Sequence, residues 1–456
     1  MVVTWPDRAR VVASGPIGEA GLAAGPISIG AHQMLVFLLQ IGVLLGTAVL
    51  LGRLAARFHL PPLVGELTAG VVLGPSLFGN VFPGLSGWLL PQDQSQTQLL
   101  GAVAQLGVLL LVAITGAHVD FDLIRRKGRA IGCVSLGSVV LPLAFGVALG
   151  FLLPDSLMAP GADRGAFALF VGVAIAVSAL PVIAKTLLDM RLLHRDVGQM
   201  IIGAAAISDV VGWLLLSIVS AMVTSKGVGA GSILLPVCYL AGVLLFAALV
   251  ARPLARWVLG LAARSTQSGI SVATIIVMVV LSAAGTQALG MEPILGAFLC
   301  GLVVSSLSTA SRQSLDSLRT FVMSALAPLY FATAGLQVDL SALGHPAVLG
   351  AAVVTLLVAT VAKFAGGYAG ARLGRLDHGE ALAIGAGLNA RGVVEIVVAS
   401  VGLHLGVLTT ATYTIVVLLA VVTSVMAPPL LRLSTRRIVT TVAEVARERE
   451  FTRQAD

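Results

Sequence analysis

Apolar residues run along this chain in long, nearly unbroken stretches that lack the polar face of a soluble amphipathic helix. Each is close to 20 residues, enough for a helix to cross roughly 30 Å of hydrocarbon at about 1.5 Å per residue. Thirteen spans are predicted, at 33–52, 61–78, 98–118, 130–153, 165–188, 197–223, 230–251, 269–289, 292–306, 320–338, 346–371, 380–402 and 409–431. The fold class is therefore an all-α polytopic membrane protein.

Composition agrees with the pattern. Hydrophobic residues make up 57% of the 456 and charged residues 11%, against about 25% charged in ordinary soluble domains. The net charge of +7 does not mark a nucleic-acid binder, because the basic residues follow the membrane. Loops after odd-numbered spans hold eighteen of the 28 Lys and Arg, among them Arg53, Arg125, Arg126 and Arg129, while loops after even spans hold two, Arg164 and Lys226. By the positive-inside rule the N-terminus lies outside and the C-terminus in the cytoplasm, in the cell membrane. Residues 1–31 read as a flexible leader outside and 432–456 as a basic cytoplasmic tail. Cys133, Cys238 and Cys300 fall inside spans far apart in sequence, which suits small core residues rather than a disulfide framework or metal cluster.

An internal repeat is legible. Pro62-Leu-Val-Gly-Glu-Leu-Thr-Ala-Gly-Val-Val72 aligns without gaps to Pro293-Ile-Leu-Gly-Ala-Phe-Leu-Cys-Gly-Leu-Val303, and Gly116-Ala-His-Val-Asp120 matches Gly335-Leu-Gln-Val-Asp339. Matching spans are seven apart, an odd number, so the copies run in opposite directions through the bilayer. Residues 32–223 and 269–431 are the two six-span copies of an inverted repeat, and 224–268 a linker helix.

Asp209 stands alone in the apolar run Ile201–Ile218 of span six. An Asp at a helix centre costs about 2.5–3.5 kcal/mol on insertion, so an ion or proton pathway is the default reading. Two spans carry interruptions of the kind that surround such sites. In span five, Ser178-Ala-Leu-Pro-Val-Ile-Ala-Lys185 includes Pro181, which removes a helical hydrogen bond. In span twelve, Gly387, Asn389 and Gly392 allow unwinding, and Arg391 and Glu395 bring charge to membrane depth. Two broken helices crossing beside Asp209 would offer opposed helix ends to an ion.

With these residues the chain resembles the monovalent cation:proton antiporters, in their bacterial and plant cation/proton exchanger branch. The resemblance covers residues 35–431 and rests on Pro61–Ser76, Ser178–Lys185, Ser208-Asp209, Pro293–Gly301 and Asn389–Glu395. It implies that Asp209 binds cation and proton in turn, that Ser178 lies at the crossing, and that Arg391 is the basic residue of span twelve. It also implies a homodimer, and a core of spans five, six, twelve and thirteen moving against a scaffold containing spans one, two, eight and nine. Many electrogenic relatives carry two adjacent acids on the core helix and other relatives carry Asn-Asp; Ser208-Asp209 here departs from both.

The expected function is exchange of protons for Na⁺ or K⁺ at Asp209, with one proton per cation, no enzymatic chemistry and no cofactor. Ser208 and Ser178 are candidate ion ligands, Asn389, Arg391 and Glu395 supporting groups, and Pro181 and Gly392 the helix breaks. Arg391 and Glu395, four apart, are expected to pair on one helix face. Lys185 and Lys363 are read as snorkelling to the interface, and Glu292 as an ordinary helix-start acid. A channel-like potassium efflux protein and a carrier of organic ions on the same fold are the competing readings.

Overall fold

The computed structural model describes residues 30–58, 60–91, 93–117, 128–190, 192, 195–224, 238–239, 241–262, 268–305, 317–436, 438 and 444. Residues 1–29 of the leader, most of the tail, His118, Asp120, His194 and the side chain of Lys185 lie outside the described residues.

Helices account for the described chain: α1 (Ala31–Arg57), α2 (Pro62–Leu73), the short α3 (Phe78–Val81) and α4 (Pro83–Leu89), α5 (Gln94–Ala117), α6 (Gly128–Leu152), α7 (Arg164–Ala176), α8 (Leu180–Asp189) and α9 (Asp196–Thr224). There follow α10 (Arg252–Ala262), α11 (Ser268–Ala288), α12 (Pro293–Ser305), α13 (Ala327–Leu336), α14 (Pro346–Leu373), α15 (His378–Gly387), α16 (Val393–His404) and α17 (Thr410–Thr435). Nine described helical stretches are long and apolar enough to cross a membrane. Predicted spans five and twelve are each divided, into α7/α8 and α15/α16.

Helix contacts sort these elements into two bodies. In one, α2 packs between α1 and α13, and α5 joins α12 and α13, with α11 against α12. In the other, α6 packs on α14 and α7, α9 lies on α6, α7 and α8, and α17 closes over α15 and α16. The site-bearing body thus includes α6 and α14, which the expected core of spans five, six, twelve and thirteen left out. Their packing depends on long-range contacts that hydropathy does not record.

Glycines set the closeness of these contacts. A methyl group on Gly137 of α6 would sit 2.4 Å from the Gly366 carbonyl of α14, and one on Gly370 would sit 2.4 Å from that of Cys133. The Gly366–Gly370 stretch is therefore a helix-packing surface, in which small residues let backbones approach. In the aligned motifs, Gly65 abuts Leu51 of α1 and Gly70 abuts Ala332 of α13, while Gly296 abuts Ser282 of α11 and Gly301 abuts Ala113 of α5. Equivalent glycines of the two aligned motifs thus meet spans one and ten in one case and eight and three in the other. Replacing Gly301 by Val should cost about 3 kcal/mol or more by overpacking, since even a bare methyl would meet Ala113 O at 1.9 Å. Gly42→Ala, with nothing within 4 Å, should leave thermal unfolding nearly unchanged. A Gly301→Val protein as heat-stable as the parent would show that α5 and α12 can separate freely.

Candidate functional site

The two interruptions meet. Val177–Ala179 leave the helix between α7 and α8, and Leu388–Gly392 do so between α15 and α16. The Ala179 amide donates to Ala390 O at 3.4 Å, and Ser178 Oγ donates to Leu388 O at 3.3 Å. Ser178 is thus a crossing residue, fully buried, that ties one break to the other. The first break falls just before Pro181 rather than at it. Pro181 becomes the second residue of α8, inside a first turn whose N–H groups have no helical partner to lose.

Four charged side chains converge on the crossing, and Asp209, Lys363, Arg391 and Glu395 are each 0% exposed. Asp209 comes from the middle of α9 and faces the Leu180 amide at the head of α8, with Glu395 and Lys363 also acting on it. Neither of its carboxylate oxygens has a hydrogen-bond partner of ordinary geometry among the described residues. Buried polar groups are nearly always satisfied, so an acceptor pair left open is an exception that calls for an explanation.

The other three groups complement helix ends. Lys363 of α14 donates its Nζ to the carbonyl of Ala176, the last residue of α7. Arg391 donates from Nη1 to Ala174 O at 3.2 Å, in the same last turn, and from Nη2 to Ala359 O at 3.0 Å. Glu395 accepts the Gly392 amide at 2.7 Å, capping the start of α16. Cations therefore lie at the negative end of α7 and carboxylates at the positive ends of α8 and α16, the favourable sense for each dipole. Asn389 Nδ2 donates to Thr360 O at 3.1 Å, and Ser424 Oγ donates to Arg391 O, anchoring the second break to α14 and α17.

Several expectations change in detail. Arg391 and Glu395 do not pair as helix neighbours: α16 begins at Val393, so Arg391 precedes the helix and four-residue spacing sets no shared face. Ser208 turns its hydroxyl toward Ser138 of α6, 3.4 Å away, rather than toward Asp209. Gly392 sits where a methyl would meet Leu63 and Val182 at 2.8 Å. Lys363 does not snorkel. It is a central member of the buried group, which its place ten residues from the end of α14 already favoured: that is about 15 Å, beyond a lysine side chain's reach.

An all-helical membrane protein with two broken helices crossing over buried charges has the architecture of a secondary transporter. The chain belongs to a family of that class, since the family model described as "Sodium/hydrogen exchanger, transmembrane" matches residues 42–433. It is 30% identical over 402 residues to Na⁺/H⁺ antiporter NhaS4 of Synechocystis sp., covering 88% of this chain and 97% of that protein. It is 28% identical over 410 residues to cation/H⁺ antiporter 20 of Arabidopsis thaliana. With K⁺/H⁺ antiporter 1 of Saccharomyces cerevisiae it shares 29% identity over 381 residues. The chain spans a little under half the length of these last two relatives, 47% and 43%. In fold it is similar to the sodium proton antiporter MjNhaP1 of Methanocaldococcus jannaschii, with a TM-score of 0.66 at 15% identity, covering 89% of this chain and 99% of that one.

Proposed function

We propose that this chain is a secondary active antiporter exchanging protons for Na⁺ or K⁺, with Asp209 as the group that holds one or the other. The supporting observation is the buried Asp209 carboxylate, unpartnered where opposed helix ends cross. Names of relatives specifying Na⁺/H⁺, K⁺/H⁺ and cation/H⁺ exchange support the same substrate class. Basic loops on one side support an external N-terminus and cytoplasmic C-terminus. The body carrying α6–α9 and α14–α17 would move against the other, exposing Asp209 to each side in turn.

Exchange is one proton for one cation. Fully ionised, Asp209, Glu395, Lys363 and Arg391 sum to zero charge. A proton or a monovalent cation on Asp209 brings the group to the same +1, and holding both would add a further unpaired buried charge at a cost of several kcal/mol, so an entering cation is best matched by a departing proton. The reading is tested on purified protein in proteoliposomes holding a pH-sensitive dye, with Na⁺, K⁺ and Li⁺ added separately. Proton movement driven by Na⁺ or K⁺ is expected; its absence with every cation would overturn the reading. A membrane potential imposed without a pH gradient should drive no net cation uptake, and potential-driven uptake would refute one-for-one exchange.

A further inference from the structure

A cavity of about 700 Å³ opens between the two bodies, on the face where α5 begins and α9 and α16 end. By the loop charges this is the outer face. Its described lining includes one carboxylate, Glu292, one imidazole, His404, one phenol, Tyr330, and no Lys or Arg. The remaining polar lining is amides and hydroxyls, Gln105, Gln287 and Gln337 among them. Such a wall attracts cations and offers neutral oxygens to hold them.

Glu292 is more than a helix-start acid. It stands immediately before α12 in one body and accepts a 2.5 Å hydrogen bond from Ser220 of α9 in the other. Ser220 lies eleven residues beyond Asp209 on the same helix, about 16 Å along its axis. Between them Ser217 is buried, and its hydroxyl has no hydrogen-bond partner among the described residues. The cavity reaches down α16 to Val397, two residues past Glu395. On its wall, Gln337 Oε1 is likewise buried and unpartnered among the described residues.

We propose that Glu292 and Ser220 form a second cation-binding site, a docking point in the outer cavity from which a monovalent cation proceeds to Asp209. This rests on the exchange reading for its ligand class. The Ser220 hydroxyl, which donates to the carboxylate when no ion is present, rotates to present its lone pairs to a bound cation. Glu292 and Ser220 belong to different bodies, so movement of α9 separates the two ligands and releases the ion. His404, on α16, and Tyr330, on α13, are the other titratable groups lining the cavity.

Two measurements with Na⁺ and K⁺ as probes test the site. In proteoliposomes of known orientation, Glu292→Gln should raise the half-saturating cation concentration about fivefold or more on the cavity side. It should leave the maximal rate, and the value on the opposite side, within about twofold. Ser220→Ala should give a smaller rise on the same side. In the Asp209→Asn background, Na⁺ or K⁺, against choline chloride at equal ionic strength, should still raise the unfolding temperature by about 1–2 °C. Adding Glu292→Gln should abolish that shift. A shift that survives Glu292→Gln, or equal changes on both sides of the membrane, would overturn the docking site. If wild-type protein exchanged nothing while the Glu292-dependent shift persisted, the exchange reading would fail and the binding site would stand.

Discussion

Asp209→Asn is expected to abolish cation-driven proton movement, a loss of at least about a hundredfold, while leaving a folded protein. The amide keeps the shape of the side chain and its place beside the Leu180 amide, but it can neither take up a proton nor balance a cation. Because both carboxylate oxygens lack ordinary hydrogen-bond partners among the described residues, little native bonding is lost and thermal stability should hold or rise. Asp209→Glu keeps the charge and shifts it along a longer side chain, so partial activity with altered apparent affinity is expected. Exchange at wild-type rate by Asp209→Asn would remove Asp209 from the transport cycle.

Arg391→Ala should produce the largest loss of stability in the molecule. The guanidinium donates to Ala174 O and Ala359 O and offsets the buried charge of Glu395. Removing it strands two carbonyls and a carboxylate, and breaking a buried charge arrangement costs about 3–5 kcal/mol. Arg391→Lys keeps a cation but reaches only as a point charge without the planar fork, so it should be intermediate. Thermal unfolding of the purified proteins orders the three. An Arg391→Ala protein as stable as Arg391→Lys would mean that the fork holds nothing together.

The spans and the site's helix were legible because hydrocarbon imposes a strict local rule: long apolar runs cross, and a lone Asp within one needs a reason. The two breaks were legible for a similar reason, since Gly387, Asn389 and Gly392 loosen a helix, and Pro181 suits the first turn of one, where its missing N–H costs nothing. Contacts between distant segments were less so. The company kept by α6 and α14 follows from Gly137 meeting Gly366 and Gly370, a fit between surfaces more than 200 residues apart. Arg391 and Glu395 do act on each other's charge, but not from one helix face, because a spacing rule for continuous helix does not hold across a break. Lys363 is buried because its place in α14, ten residues from the nearer end, puts both interfaces beyond its side chain's reach. The bridge from Ser220 to Glu292 spans 72 residues and carries no local signature.

Proton release on cation binding is the most direct measurement. Purified protein in weakly buffered detergent solution, titrated with Na⁺ or K⁺, should release one proton per cation bound, and Asp209→Asn should lose the coupled release. Cation binding to wild-type protein with no release of protons, or release that survives Asp209→Asn unchanged, would contradict exchange of the two at this carboxylate.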